Sequence, residues 1–128
     1  GEEEFVTKVF RYAGKEIRAD KEIVMKIAKK NIFVLEYVDE EIKSDSEIML
    51  ALLKQNDFAI RYVNIELLMN KRFMKALLKE NISMLEYLPP ELRLDKKFML
   101  QLVKENREIY GLLEIEWQRD AEFLEIME

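Results

Sequence analysis

Counted from Asp20, apolar side chains fall at the fourth, fifth and eighth positions, and the same three positions recur when the count restarts at Asp45, Asn70, Asp95 and Asp120. The copies read Ile23, Val24, Ile27; Ile48, Met49, Leu52; Phe73, Met74, Leu77; Phe98, Met99, Leu102; and Phe123, Leu124, Met127. A ninth-position residue, Ala28, Leu53, Leu78 or Val103, widens the stripe. At helical spacing these positions cover one arc, so each copy predicts an amphipathic helix A of about eleven residues. The Asp or Asn that opens each copy is suited to accept from the orphan N–H groups of the first turn. Lys follows at the tenth position (Lys29, Lys54, Lys79, Lys104), favouring the negative helix end. Asn stands at the twelfth (Asn31, Asn56, Asn81, Asn106), where a left-handed backbone that ends the helix is expected.

The second half of each copy is shorter and bent. Apolar pairs Val34/Leu35, Ala59/Ile60, Met84/Leu85 and Ile109/Tyr110 lead to Val38, Val63, Leu88 and Leu113. A break follows at Asp39, Asn64, Pro89 and Glu114, and then Ile42, Leu67, Leu92 and Trp117. Proline suits the first turn of a helix and not its interior, so Pro89-Pro90-Glu91 marks a stop and a fresh start. The expectation is a short helix, a break and a single helical turn. No strand-like alternation occurs.

The common step is 25 residues, without insertion. It makes near-twins of NIFVLEYVDEEIKSD (residues 31–45) and NISMLEYLPPELRLD (81–95), and it aligns Tyr37, Tyr62 and Tyr87 as well as Glu41, Glu66, Glu91 and Glu116. One such unit cannot bury its own apolar faces, whereas stacked neighbours can. The expected fold is therefore an all-α helical-repeat solenoid forming one domain over residues 1–128. Full repeats are expected at 20–44, 45–69, 70–94 and 95–119, with partial repeats as caps at 1–19 and 120–128. Phe5, Val9, Phe10, Tyr12 and Ile17 supply the apolar positions of the first cap, while Glu125 and Glu128 wet the outer side of the last. Repeat four departs from type, with Tyr110 two places forward, Leu112 in the Tyr position and Trp117 for an aliphatic.

The motif D-x-E-[IVF]-[VML]-x(4)-K-x-N-x(3)-[LI]-x-Y-[VL]-x(2)-E-[IL]-x(2)-D, read from Asp20, from Asp45 with Asn70 at its close, and from Asp95 with Lys97, Tyr110, Leu112 and Trp117 departing, resembles the short tandem repeats of the domain of unknown function 4116 family. The resemblance spans residues 20–124. It implies a helical array of the kind found in large multi-repeat proteins of microbes and viruses, and it carries over no catalytic residue. The departures of repeat four put helix boundaries there in question.

Composition narrows the chemistry. About half of the residues are apolar and over a third charged, as in a helix-rich globular protein. The longest apolar run, Ile48–Leu53, is far short of the ~20 residues that span a bilayer, so no membrane role is expected. The chain opens GEEEF without a targeting segment and has no Cys, and an intracellular, cytoplasmic setting is the expectation. There is also no His, which removes the usual general base and, with Cys, the commonest metal ligands. Ser44, Ser46 and Ser83 have no candidate base, and the acidic clusters Glu2–Glu4 and Asp39–Glu41 read as solvated faces. No enzyme activity, cofactor or metal is expected. The net charge of −5 opposes nucleic acid as the main partner.

On a repeat scaffold, binding is expected where copies differ. Ile65, Leu68 and Met69, joined by Leu94, are apolar at places that are mostly polar elsewhere, and Phe33 and Phe58 stand where Ser83 and Glu108 come later. If exposed, they mark a protein partner; the plainer reading is a deeper core. Position three changes from Glu22 and Glu47 to Arg72 and Lys97, which with Lys75, Lys79 and Lys104 makes a basic face on repeats three and four. That face could meet an acidic partner or a polyanion, and its plainer reading is a solvated surface. The Asn row could bind an extended peptide or simply end its helices; the Tyr row reads as packing between neighbours. The expected role is a non-enzymatic protein-interaction module. The alternatives are a pure spacer and a weak anion or nucleic-acid binder. A monomer is expected.

Overall fold

The computed structural model describes Glu4 and residues 18–128, so the expected N-terminal cap residues Phe5, Val9, Phe10, Tyr12 and Ile17 lie outside the described residues. Three elements recur. Long helices are α1 (Lys21–Lys30), α3 (Ser46–Gln55), α5 (Lys71–Glu80) and α7 (Lys96–Glu105), each of 10 residues, and α9 (Ala121–Met127). Each of the first four leads into a six-residue 3-10 helix: η1 (Ile32–Tyr37), η2 (Asp57–Tyr62), η3 (Ile82–Tyr87) and η4 (Arg107–Leu112). After a break come the single turns α2 (Glu40–Lys43), α4 (Ile65–Leu68), α6 (Pro90–Arg93) and α8 (Ile115–Gln118). There is no strand among the described residues, and no helix among them is long and apolar enough to cross a membrane. The chain is an all-α tandem repeat. Repeat four keeps the same element boundaries despite its altered residues.

Caps explain why the boundaries repeat. Asp20, Asp45, Asn70 and Asp95 accept, through Oδ1, the backbone N–H of the residue three places on, at 3.0–3.1 Å. At the other end the Asn does two jobs. Its backbone N–H closes the long helix on the carbonyl four residues back, at 2.9 Å in all four copies. Its side-chain oxygen then accepts from the N–H two residues ahead, opening the 3-10 helix. This corrects the left-handed backbone expected at these residues. Asn31, Asn56, Asn81 and Asn106 are extended, with φ from −151° to −145°, and no described residue has positive φ. An N-cap needs a β-region backbone to turn its side chain over the next helix, and that demand decides the conformation. Pro90 takes the first position of α6, where its missing N–H costs nothing. Glu41, Glu66, Glu91 and Glu116 lie in the first turns of α2, α4, α6 and α8, at the positive helix end.

Contacts divide the chain into two compact units, Gly1–Leu67 and Leu68–Glu128. In the first, α1 packs against α3 and η1 against η2, burying Val24, Val34, Leu35, Met49 and Leu52. In the second, Phe98 and Phe123 are among the largest fully buried side chains, and the half-buried Trp117 packs on Phe123 with ring centroids 5.2 Å apart. Burying such apolar area stabilises by roughly 25 cal/mol per Å². A groove lies between α5 and α7.

Successive repeats are also tied by charge. Lys21 pairs with Asp45 at 2.9 Å, Lys71 with Asp95 at 2.8 Å, and Lys96 with Asp120 at 2.8 Å, each Lys reaching the cap residue of the following repeat. Hydrogen bonds from these lysines hold the Asp45, Asp95 and Asp120 carboxyls below the usual carboxylate range. The same bonds hold Lys21 and Lys96 above the usual lysine value.

Candidate interaction surfaces

In the first unit the η1–η2 face carries an aromatic cluster. The N–H groups of Phe33 and Phe58 are held by Asn31 and Asn56 at 3.1 and 2.9 Å, so the caps that start the 3-10 helices also fix both phenylalanines. Their ring centroids lie 5.3 Å apart in an edge-to-face arrangement. Tyr62 extends the row, 6.2 Å from Phe58, and the Arg61 guanidinium sits 4.4 Å over the Phe58 ring. Phe33 is 52% exposed, whereas Phe58, Tyr37 and Tyr62 are half-buried. Burial pushes the Tyr62 phenol above its usual value, and the negative charge of Glu36 adds to the shift. Ile65 stands on α4 and is 61% exposed. Beside it Asn64 accepts from the Glu66 N–H at 2.8 Å and donates to Glu40 at 2.9 Å, bonds that bind the break of one repeat to the turn of the previous one.

In the second unit the apolar candidates separate. Leu68 is half-buried, Met69 is exposed, and Leu94 is 75% exposed at the rim of a hollow of about 40 Å³ shared with Leu112 and Trp117. The exposed Leu112 and Ile115 were not among the candidates from sequence. Ile115 carried a readable signal, because it occupies the repeat position of Ile65.

The basic residues form a more definite feature. Arg72, Lys75 and Lys79 follow one another at helical spacing on α5, and Lys97 and Lys104 do the same on α7. Lys75 pairs with Glu105 at 3.1 Å. Arg72, Lys79, Lys97 and Lys104 are exposed and form no ion pair among the described residues. Between α5 and α7 lies a groove of about 450 Å³, lined by Lys75, Leu78, Lys79, Leu102, Glu105, Asn106 and Ile109. The Asn row has its side-chain oxygens engaged in capping, in keeping with the plainer reading of those residues. Among the described residues no group of acidic side chains gathers closely enough to hold a metal ion.

No curated protein and no solved structure matches this chain. One family model does, a domain of unknown function (4116), over residues 4–43, 20–68, 45–93 and 70–118. The last three matches begin at Asp20, Asp45 and Asn70, the residues that cap α1, α3 and α5. With residues 4–118 tiled by repeats in one register, the chain belongs to the domain of unknown function 4116 family.

Proposed function

We propose that this repeat module is non-enzymatic and binds a protein partner, with the Phe33–Phe58 cluster as its anchor. The observation that carries the reading is the exposure of Phe33 at a position where the later repeats place Ser83 and Glu108. A phenylalanine half in water, braced by a second ring that itself carries an arginine, has the composition of an interface centre, where aromatic residues and Arg are enriched. Stacking the repeats does not need it, since the second unit folds with Ser and Glu in its place. Ile65 extends the apolar area of the same unit. A sequence without His or Cys offers little for acid–base or thiol chemistry, which favours recognition over catalysis.

The test is capture from native lysate on the immobilised chain, with parent and Phe33→Glu variant quantified side by side. Because Phe33 is exposed, the variant keeps its circular dichroism spectrum. A partner retained by the parent and lost by the folded variant supports the reading. Equal retention by both overturns the anchor, and a parent that retains nothing favours a spacer.

A further inference from the structure

We infer that the junction of repeats two and three is a weak point built into the array, so that the two units open and unfold as separate cooperative bodies. Three other junctions share one tie. The lysine at position two of a repeat reaches the aspartate at position one of the next, as Lys21–Asp45, Lys71–Asp95 and Lys96–Asp120, at 2.8–2.9 Å. Between repeats two and three the same positions hold Ser46 and Asn70, so both the ammonium and the carboxylate are missing. Asn70 still caps α5, accepting from the Phe73 N–H at 3.0 Å, and the exchange of Asp for Asn there removes the charge alone.

The auxiliary ties are lost in the same place. Asn64 donates from its side chain to Glu40 at 2.9 Å and from its backbone to the Lys43 carbonyl at 3.1 Å. Twenty-five residues on, Pro89 and Ile65 are the counterparts of Asn64 and Glu40, and proline has no N–H to give to the Leu68 carbonyl. Lys75 pairs with Glu105 at 3.1 Å, and 25 residues earlier the counterparts are Leu50 and Glu80. None of these ties can form at this one junction. Burial does not replace them, since Ile65 is 61% exposed and Ser46 is exposed as well.

A second observation falls at the same point. The chain divides into its two compact units between Leu67 and Leu68, at the end of repeat two. That division reflects backbone proximity, whereas the missing ties are a matter of side-chain chemistry. An exposed ion pair is weak by itself. In an array where each repeat rests only on its neighbours, however, the terms at the junctions decide how far order propagates, and opening concentrates where they are fewest. Each unit keeps a core of its own, with Leu35, Met49 and Leu52 in the first and Phe98 and Phe123 in the second. The array can thus yield at one place without melting a repeat.

Trp117, the one tryptophan of the chain, makes this testable, because its fluorescence reports the second unit while far-ultraviolet circular dichroism reports both. In urea the two signals of the parent should give separate midpoints. Ser46→Lys with Asn70→Asp installs the tie of the other junctions and keeps a cap residue. The gap between the midpoints should then narrow, by more than the two single variants achieve together, and should reopen in about 1 M NaCl. Should Ser46→Lys fail to fold, Ser46→Arg supplies the same charge. Coincident midpoints in the parent overturn the inference. So does a gap that the double variant narrows no more than the summed single variants, or a narrowing that salt leaves unchanged.

Discussion

At the fourteenth position of the repeat the first unit carries Phe33 and Phe58, and the second carries Ser83 and Glu108. At the third position the first carries Glu22 and Glu47, and the second Arg72 and Lys97. The positions that make joints do not change in this way. Val24, Met49, Met74 and Met99 are all buried, and each twelfth-position Asn closes one helix and opens another. The contrast teaches that one scaffold presents an aromatic face in one unit and a row of exposed cations in the other. Only positions facing solvent are free to diverge, because buried ones must fit both neighbours.

Two phenylalanines give the sharpest way to break this division. Phe98→Ala empties a fully buried site and should cost about 3–5 kcal/mol in urea unfolding, while Phe33→Ala should leave the midpoint nearly unmoved. Comparable losses would erase the distinction between core and display positions. Next in size, Asn56→Ala and Asn106→Ala each remove a cap and should each cost about 1 kcal/mol. A silent substitution in one unit would show that the joints are not equivalent.

A smaller effect comes from the lysine–aspartate ties. The folded-state values of Asp45, Asp95 and Asp120 are depressed, so their contribution is present above the ordinary carboxylate value of about 3.9 and is lost as pH falls through the lowered folded values. Thermal unfolding followed from neutral pH into acid should therefore show the parent losing stability below about pH 4. Asp45→Asn and Asp95→Asn should start lower at neutral pH and converge with the parent in acid, alike in both units. The smallest effect tests the surfaces alone. Glu22→Arg with Glu47→Lys gives the first unit the third-position charge of the second, and stability should not change. A change would show that the third position is tied to the fold and not free to diverge.

How much of this was readable in advance depends on how local each signal is. Helix positions followed from apolar spacing and from caps that act within three residues, so the period and the element order were legible. The backbone of Asn31 and its counterparts was not legible, because it answers to the 3-10 helix they begin as well as to the helix they end. Phe33 and Phe58 were legible as candidates, since a departure from the repeat is visible in the letters. Their contact was not, because it depends on η1 lying beside η2. The groove is the extreme case. Lys75 and Lys79 stood out in the sequence, but that they line a hollow with Glu105 and Ile109 depends on how α5 packs beside α7, which no single repeat encodes.

The doubly used asparagine has a consequence for how such a gene can change. With one residue serving both as the end of a helix and as the start of the next, the joint has no slack. A single inserted codon would turn everything downstream by about 100° about the helix axis and aim the apolar stripe at water. Unequal crossing-over between copies shifts the chain by whole 25-residue periods and leaves every joint intact. Length in this array is therefore a quantised trait: whole repeats can be gained or dropped, while the distance between neighbouring ones stays constant.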